Sequence, residues 1–444
     1  MIAAHAAAEP SPWFGQPRGL TILFLTNMWE QFSYYGMRAL LVYYMTKTLL
    51  LGQGTSSFIY GAYTAFAYFT PIIGGTISDR WLGKRRAVII GASIMAAGHF
   101  MMAFEPLFYL ALATIALGNG LFLPTLPSQI NDLYRAADPR RAWAYNVYYV
   151  GINIGGFLAP LVCGTLGELY GWHWGFTAAG IGMLAGLVIY VTGARYLPPQ
   201  APPTRGAAAA ALPAGGNRDT YLLLLAIGLA VTVFRGAYEQ VGNTVALWAD
   251  SGINRSIGSW AIPMTWFQSL NPMLVILVTP GLLTYWRRRA EAGVERSPMQ
   301  KMAIGALIVG AAYLLLAGVS ALAGAGKAGW AWLALFFAIF TVGELHILPN
   351  GLGLFARLAP PRFGATTVAA WYLAIFTGSL SAGLVGTLWS RTSHPLFFAL
   401  LAAIAAAAAG LLLLLDGRAN TVIAAQPEPP AAVSAEETAP AGGV

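Results

Sequence analysis

Charged side chains are scarce in this chain of 444 residues. Asp, Glu, Lys and Arg together make up 9% of it, against about 25% in an ordinary soluble domain. Apolar and aromatic residues make up 57%, which leaves too little polar surface to cover a soluble globule. A soluble enzyme is therefore excluded. Intrinsic disorder is excluded as well, because it requires low hydrophobicity and high charge.

Cysteine is almost absent, since Cys163 is the single one in the chain. A disulfide framework and a thiolate metal cluster are thereby excluded. The sequence also has no H-E-x-x-H or H-x-x-E-H metal pattern and no Walker A sequence. We therefore expect no metal, no cofactor, no use of ATP and no enzyme activity.

What the chain has in abundance is long apolar runs. Each run reaches the roughly 20 residues that a helix needs to cross a bilayer. The composition therefore predicts an all-α integral membrane protein with twelve transmembrane helices. The predicted spans are 20–48, 56–79, 86–104, 107–133, 142–168, 172–196, 219–250, 260–287, 299–322, 328–356, 363–390 and 395–416.

The basic residues predict the orientation. With the N-terminus in the cytoplasm, 19 of the 25 Lys and Arg residues face inward and 4 face outward, while Arg38 and Arg235 lie within spans. This asymmetry is the positive-inside pattern, and an even helix count places both termini in the cytoplasm. The net charge of +8 then reflects loops that contact membrane lipids, and no nucleic-acid partner is expected.

The chain divides in the middle at a stretch rich in Pro, Ala and Gly, which is typical of a linker. The C-terminal stretch is rich in Ala, Pro and Glu, and we predict it to be disordered. The predicted parts are a cytoplasmic N-terminal segment (1–19), a six-helix bundle (20–196), a cytoplasmic linker (197–218), a second six-helix bundle (219–416) and a disordered cytoplasmic tail (417–444).

The two halves resemble each other. Residues 118–124 and 343–349 both read G-x-x-x-x-L-P, and Thr-Pro occurs both at 70–71 in span two and at 279–280 in span eight. Duplication of a six-helix unit predicts such pairs. Two pseudo-symmetric bundles around a central cavity follow, as in secondary transporters. The alternative is chance similarity among helices rich in Gly and Leu.

Five charged residues lie deep within the spans, namely Glu30, Arg38, Arg235, Glu239 and Glu344. A charge at mid-bilayer costs at least about 2.5–3.5 kcal/mol, so such residues are paired or line water. Arg235 and Glu239 are four residues apart, a spacing at which they can neutralise each other. The functional interpretation is a polar cavity for a polar or zwitterionic solute, and the alternative is hydrogen bonding that holds helices together.

Several motifs point to one family. Residues 27–38 read N-M-W-E-Q-F-S-Y-Y-G-M-R, 148–155 read Y-Y-V-G-I-N-I-G, and 75–86 read G-T-I-S-D-R-W-L-G-K-R-R. Residues 238–242 read Y-E-Q-V-G, and 268–272 read Q-S-L-N-P. Together with Val342–Glu344 and Trp371, this set resembles the proton-coupled oligopeptide transporters, the POT/PTR branch of the major facilitator superfamily. The resemblance implies the major facilitator fold and covers roughly residues 20–390.

The resemblance also implies roles for individual residues. Tyr34, Tyr35 and Tyr68 would line a peptide pocket, and Asn153 and Trp371 would contact the peptide. The charged residues would divide into three groups: Glu344 for the peptide amino terminus; Arg38 for its carboxylate or for pairing with Glu239 in an outward gate; and Asp79, Arg80 and Lys84 for a lock between the cytoplasmic helix ends.

The chain departs from the family pattern at the proton relay. The family motif E-x-x-E-R is Asn27-x-x-Glu30-Gln31 here, and the helix-four lysine is Leu123. Asn and Gln do not titrate near neutral pH, so coupling through this motif is in question. We hypothesise that Arg235 substitutes for the missing lysine, the alternative being a self-neutralising pair with no role in coupling. His346, two residues beyond Glu344, is a further candidate proton carrier.

The sequence therefore predicts a secondary transporter that moves di- or tripeptides, or peptide-like zwitterions, by alternating access. Proton-coupled symport is expected, with Glu30, Glu239 and Glu344 as candidate carriers. The alternatives are an uncoupled facilitator or exchanger, a carrier of another small polar or anionic solute on the same fold, and a membrane receptor built on a transporter fold. The expected location is a bacterial inner membrane, and the expected state is a monomer.

Overall fold

The computed structural model describes residues 15–134, 138, 140–200, 218–358 and 364–424. Within these ranges helices dominate, and nine helical segments are long and apolar enough to cross a membrane. The prediction of an all-α membrane protein is thus confirmed in its coarse form. The count of twelve spans stays a prediction.

The first half of the described chain consists of helices that follow the predicted spans closely. These are α1 (Arg18–Lys47), α2 (Gln53–Ile77), α3 (Lys84–Met101), α4 (Phe108–Phe122), α5 (Thr125–Ser128), α6 (Arg140–Ala159), α7 (Thr165–Tyr170) and α8 (Trp172–Gly193).

The second half has the same character. Its helices are α9 (Arg218–Tyr238), α10 (Thr244–Ser251), α11 (Phe267–Glu291), α12 (Pro298–Ala323), α13 (Trp330–Leu358), α14 (Gly364–Gly386) and α15 (His394–Ala424). Four two-residue strands lie between them: β1 (Ile253–Asn254) pairs in parallel with β4 (Ala328–Gly329), and β2 (Ser256–Ile257) pairs antiparallel with β3 (Trp260–Ala261). These strands lie in the connections between helices, where the all-α prediction included no secondary structure.

Three predicted spans are interrupted where the structure departs from a continuous helix. Span four ends its long helix at Phe122, and Pro124 follows, which has no N–H to donate to the preceding turn. Span five changes to a π-helical turn over Pro160–Gly164. Span seven changes to a 3-10 turn over Glu239–Gly242, next to a predicted functional residue. At the other extreme, α15 continues to Ala424, eight residues past the predicted end of the second bundle.

Each half has its own hydrophobic core. One cluster of buried residues draws all its members from residues 223–419, and two others draw theirs from residues 20–197. A small fourth cluster joins the halves through Val42, Tyr43, Ala246 and Met264. Contacts of α2 with α14 and of α6 with α11 complete this junction.

The internal repeat has a structural counterpart in close helix packing. A Cβ placed on Gly91 of α3 would lie 2.7 Å from the carbonyl oxygen of Gly118 in α4. A Cβ placed on Gly305 of α12 would lie 2.5 Å from the carbonyl oxygen of Gly343 in α13. Only glycine permits this approach of two helices. Because 118 and 343 are the positions matched by sequence, the two halves use the same contact.

Candidate functional site

A cluster of charged side chains joins the two halves in the middle of the helices. Arg38 of α1 pairs with Glu239, which follows α9, and Arg235 of α9 pairs with the same carboxylate. Arg38 Nε also donates to Tyr60 Oη at 2.6 Å, and Arg235 Nη2 lies 3.3 Å from Ser379 Oγ in α14. We call these five residues the gate cluster. Glu239 thereby accepts from one arginine in each half.

The gate cluster is buried, so its charges must be paired. The side chains of Glu239, Arg235 and Arg38 are 2%, 4% and 14% exposed. Charges removed from water must be paired to persist. Two guanidiniums share one carboxylate, so the three side chains carry a net charge of +1. The i,i+4 pairing that the spacing of Arg235 and Glu239 predicted is confirmed.

Further hydrogen bonds between the halves lie beyond the gate cluster, at the membrane end opposite the arginine-rich loops. We call this the gate end. Ser57 Oγ donates to Asn243 Oδ1 at 2.9 Å, and Gln53 Nε2 donates to the Gly386 carbonyl at 2.9 Å. Tyr43 Oη donates to the Ala246 carbonyl at 2.6 Å. The halves are therefore closed against each other at the gate end.

On the other flank of the gate end, one carboxylate holds the start of α11. Glu168 of α7 accepts from the backbone N–H groups of Met264 and Thr265, both at 2.9 Å, and from Thr265 Oγ1 at 2.6 Å. The backbones also approach closely, because the glycines at 61 in α2 and 383 in α14 face each other. Both flanks are thus sealed in this conformation.

A small cavity of about 50 Å³ lies against the gate cluster on the inner side. Arg38 and Tyr35 line it from the first half, and Tyr238, Asn271 and Phe340 line it from the second. A cavity of this volume has room for a few water molecules. Both halves contribute polar groups to it.

Glu344 lies next to this cavity, behind two of its lining residues. Tyr238 Oη donates to Glu344 Oε1 at 2.6 Å, and Asn271 Nδ2 donates to Glu344 Oε2. Asn271 Nδ2 also lies 3.1 Å from Thr341 Oγ1. A carboxylate fixed by two neutral donors keeps its charge available to a cation. The residue sits 8% exposed.

The predicted pocket tyrosines separate in the structure. Tyr35 lines the cavity, and the ring of Tyr68 lies 5.3 Å below the Arg235 guanidinium and stacks on Tyr372 at 6.4 Å. Tyr34 instead packs in the core of the first half. Its buried hydroxyl, like that of Tyr63, has no hydrogen-bond partner among the described residues.

Asn153 and Trp371 are placed by packing. Asn153 Nδ2 donates to the Tyr149 carbonyl of its own helix at 2.9 Å. The Trp371 ring is 5% exposed and lies against Gly351, where a Cβ would come within 2.5 Å of it. The structure does not bring either residue to the lining of the small cavity.

Glu30 sits apart from the gate cluster in α1. It is 1% exposed and accepts from Gln31 Nε2 at 2.7 Å, and it has no cationic partner in the part of the chain that the structure describes. Asn27 donates to the Tyr148 carbonyl of α6 at 3.3 Å. The two amides that depart from the family motif therefore make hydrogen bonds of their own.

The loop residues Asp79, Arg80 and Lys84 differ in their ion pairs. Lys84 Nζ pairs with Asp132 at 2.7 Å, within the first half. Asp79 and Arg80 lie in the π-helical turn over Ser78–Leu82, and neither forms an ion pair within the described ranges. Gly83, at φ +75°, ends that turn in the left-handed region that favours glycine. A lock formed by these three side chains between the cytoplasmic helix ends stays a prediction.

Two further hypotheses concern Arg235, as a substitute for the missing lysine, and His346, as a proton carrier. Arg235 contacts Glu239, Ser379, Tyr68 and Tyr238, and none of these residues belongs to α4. Substitution of Arg235 for the missing helix-four lysine stays a hypothesis. His346 lies beside Trp286, away from the cavity.

Sequence reasoning missed several members of the site. Tyr238 and Asn271, which hold Glu344, and Tyr60 and Ser379, which complete the gate cluster, received no role. The sequence carried a signal for Tyr238 and Asn271, because both lie in the motifs at 238–242 and 268–272, and Tyr238 stands beside Glu239. Tyr60 and Ser379 stand in ordinary apolar helix and carry no local signal.

Comparison with known proteins identifies the family to which this fold belongs. The chain matches the model of the POT family over residues 85–210 and 217–399. It is 31% identical to the uncharacterized transporter YclF of Bacillus subtilis over 88% of this chain and 91% of that protein. It is 30% identical to a di-/tripeptide transporter of Lactococcus lactis subsp. cremoris over 87% of this chain and 93% of that protein.

Solved structures agree with the sequence relatives. The peptide transporter POT in complex with sulfate superposes with a TM-score of 0.87 at 28% identity, covering 94% of this chain and 98% of that one. A mutant of peptide transporter POT in complex with alafosfalin superposes with a TM-score of 0.84 at 29% identity, covering 93% of this chain and 97% of that one. The membrane-spanning helices and the similarity to these transporters define an integral membrane transporter. The chain belongs to the POT family, and the resemblance found in the motifs is confirmed.

Proposed function

We propose that this chain transports di- and tripeptides, or peptide-like zwitterions, across the membrane by alternating access. One observation carries the proposal: a guanidinium from one half and a fixed carboxylate from the other flank the same small cavity. Arg38 lines the cavity, and Glu344 stands behind Tyr238 and Asn271. A solute with a carboxylate and an ammonium group complements this arrangement through charge-assisted hydrogen bonds.

In this proposal Glu344 receives the amino terminus, and Arg38 attracts the carboxylate when it leaves Glu239. Tyr35 and Tyr68 line the path between them. Contact of the solute with Tyr34, which packs in the core of the first half, stays a prediction carried over from the family. Peptide contacts by Asn153 and Trp371 stay predictions carried over from the family.

Transport proceeds by rocking of two bundles, residues 20–196 and 219–416, joined by a linker over 197–218. Twelve spans with both termini in the cytoplasm complete the proposed topology, and the basic loops support it. The gate end then faces outward, and the conformation with sealed gate contacts is the inward-facing one. Opening outward requires Arg38 to leave Glu239 and the paired glycines to separate.

Proton coupling is the energy source that we propose, with Glu30, Glu239 and Glu344 as carriers. Support comes from burial of all three carboxylates and from the state of Glu30, which has one amide donor and no cation among the described residues. An unpaired buried carboxylate is costly, and a proton removes that cost. Asp79, Arg80 and Lys84 are proposed to act at the cytoplasmic helix ends in other conformations, with Lys84 held meanwhile by Asp132.

We propose that the protein lies in a bacterial inner membrane, because the relatives named above come from bacteria. We also propose that it is a monomer. Protons, a peptide-like solute and membrane lipids are its partners in this proposal.

Competition experiments test the recognition of both termini. Reconstituted protein would take up labelled dialanine while excess unlabelled dialanine, its N-acetyl form or its C-terminal amide competes. The proposal predicts strong competition by the free dipeptide and at least tenfold weaker competition by each capped form. Equal competition by all three would overturn recognition of the zwitterion, and competition by none would overturn the peptide assignment.

A further inference from the structure

A second cavity of about 220 Å³ lies far from the gate cluster, at the membrane end marked by the three arginines Arg287–Arg289. The end of α11 and the start of α12 form its walls, and α13 forms its back. Its lining residues are Tyr285, Trp286, Arg289, Glu295, Arg296, Lys301, Ile304, Ile308 and His346. We call it the α11–α12 pocket.

Positive charge dominates the α11–α12 pocket. Arg289, Arg296 and Lys301 supply three cations against the single carboxylate of Glu295, which leaves a net charge of +2. Glu295 pairs with Lys301 at 2.8 Å, and Lys301 is only 14% exposed. Lys301 and Arg289 are partly buried, whereas Arg296 reaches the surface. An excess of cations around a cavity attracts an anion.

Donor groups in the pocket are already oriented. Arg289 Nη2 donates to the Val294 carbonyl at 3.2 Å, which fixes the guanidinium, while its buried Nε has no hydrogen-bond partner among the described residues. A buried N–H without an acceptor is costly and calls for an explanation. An anion in the pocket supplies the acceptor.

His346 is explained by the same pocket. Its Nδ1 contacts the Val342 carbonyl at 2.8 Å; because a carbonyl only accepts, Nδ1 carries a proton. The ring packs edge-on against Trp286 at 5.1 Å. His346 lies two residues from Glu344, about 200° around the helix. It therefore belongs to this pocket and has no place in the substrate cavity.

The apolar and aromatic walls narrow the identity of the anion. Lys301 Nζ lies 5.5 Å from the Trp286 ring, and Arg289 lies 5.8 Å from the Tyr285 ring. Ile304 and Ile308 continue the wall along α12 toward the apolar part of the membrane. Amphipathic aromatic rings with basic neighbours are typical of the headgroup level, and basic pockets between helices at this level bind lipid headgroups.

We propose that the α11–α12 pocket binds a phosphate group, presented by an anionic lipid or by free phosphate. Arg289, Arg296 and Lys301 supply the cationic donors, and Trp286 and His346 shape the back of the site. This site is independent of the proposed transport activity, since it shares no lining residue with the substrate cavity.

Native mass spectrometry of the full chain in detergent tests the proposal. The probes are phosphatidylglycerol, phosphatidylcholine and inorganic phosphate. The pocket variant combines Arg289→Gln with Lys301→Gln. The matched control combines Arg287→Gln with Arg288→Gln, which removes the same charge from exposed positions on the same helix end. We expect phosphatidylglycerol adducts on the unchanged protein and on the control, and at least tenfold fewer on the pocket variant.

The sources of phosphate separate in the same experiment. Retention of phosphatidylglycerol with no effect of millimolar phosphate assigns the site to a lipid, and displacement by phosphate assigns it to the free ion. A second variant, Ile308→Trp, fills the pocket without changing charge and is expected to lose adducts equally. Equal adducts on the pocket variant and the control, or equal retention of phosphatidylcholine, would overturn the proposal. Uptake of dialanine by each variant shows that it is folded.

Discussion

Replacing Glu239 by glutamine removes the only carboxylate that contacts both arginines of the gate cluster among the described residues. The two guanidiniums would then share one neutral amide in a site where the side chains are at most 14% exposed. Breaking a buried ion pair by removing one partner costs about 3–5 kcal/mol. The question is how that cost divides between overall stability and the balance of conformations.

The positions of the two arginines determine how the cost divides. Arg235 lies four residues before Glu239 in the same half, so this pair does not depend on contact between the halves. Arg38 comes from the other half, so its pair exists only while the gate end is closed. A hydrogen bond to a charged group contributes about 1.5–3 kcal/mol, and each 1.4 kcal/mol is about tenfold. Glu239→Gln is therefore expected to shift the equilibrium about 10- to 150-fold toward the gate-open state.

Replacing Arg235 by methionine is expected to have the opposite effect. Arg38 and Glu239 then form a neutral pair in the closed state, whereas opening leaves Glu239 without any cation. The closed state should become more populated. A third variant, Lys47→Gln, breaks the exposed pair with Asp250 at the gate end, and exposed pairs contribute about 0–1 kcal/mol. It should change the equilibrium by no more than about fivefold.

Alkylation of a cysteine at the gate end measures this equilibrium. A Cβ at Gly54, a partly buried position, lies 3.7 Å from the Thr387 Cβ of the other half, so Gly54→Cys is less accessible when the gate is closed than when it is open. The native Cys163 is buried and gives little background. We expect a membrane-impermeant maleimide to react faster with Glu239→Gln and slower with Arg235→Met. Unchanged rates, or faster reaction in both variants, would refute the reasoning.

Three further outcomes follow from the site. Glu30→Gln should abolish accumulation of dipeptide driven by a proton gradient while preserving exchange down a concentration gradient, and loss of both activities would contradict a role confined to coupling. Gly61→Val should prevent closure against Gly383 and lower uptake at least tenfold at normal expression, whereas normal uptake would show that the close approach is dispensable. Asn271→Ala should remove one of the two hydrogen bonds that hold Glu344. Loss of a hydrogen bond costs about 1–1.5 kcal/mol of binding free energy, so the KM for dipeptides should rise about tenfold with a smaller effect on kcat. A change in kcat alone would contradict this prediction.

Much of the fold was predictable because the controlling signals are local. Apolar runs long enough to cross a bilayer stand out in the composition, and α1 begins and ends within two residues of its predicted span. The duplicated G-x-x-x-x-L-P motif begins in each half at a glycine that makes a close helix contact, Gly118 with Gly91 and Gly343 with Gly305, although the motif alone did not predict these contacts. The breaks after Phe122 and at Glu239 were harder to predict, because an apolar run looks the same whether its backbone is straight or interrupted.

The site was predictable where charge is costly and less so elsewhere. Buried charges such as Glu239 mark themselves by their rarity in apolar helices, and the family resemblance supplied Arg38 as a partner. The bonds of Asn271 and Tyr238 to Glu344 depend on how three helices are rotated and how deep each lies, which no single segment encodes. For the same reason Lys84 was assigned to Asp79 and Arg80, although folding brings it to Asp132.

The most direct test of the central claim is uptake of labelled dialanine by proteoliposomes, with and without an inward proton gradient. Accumulation above equilibrium only in the presence of the gradient is the result that we predict. Equilibration that ignores the gradient would contradict proton coupling and leave a facilitator. No flux through protein that is shown to be folded would contradict peptide transport itself.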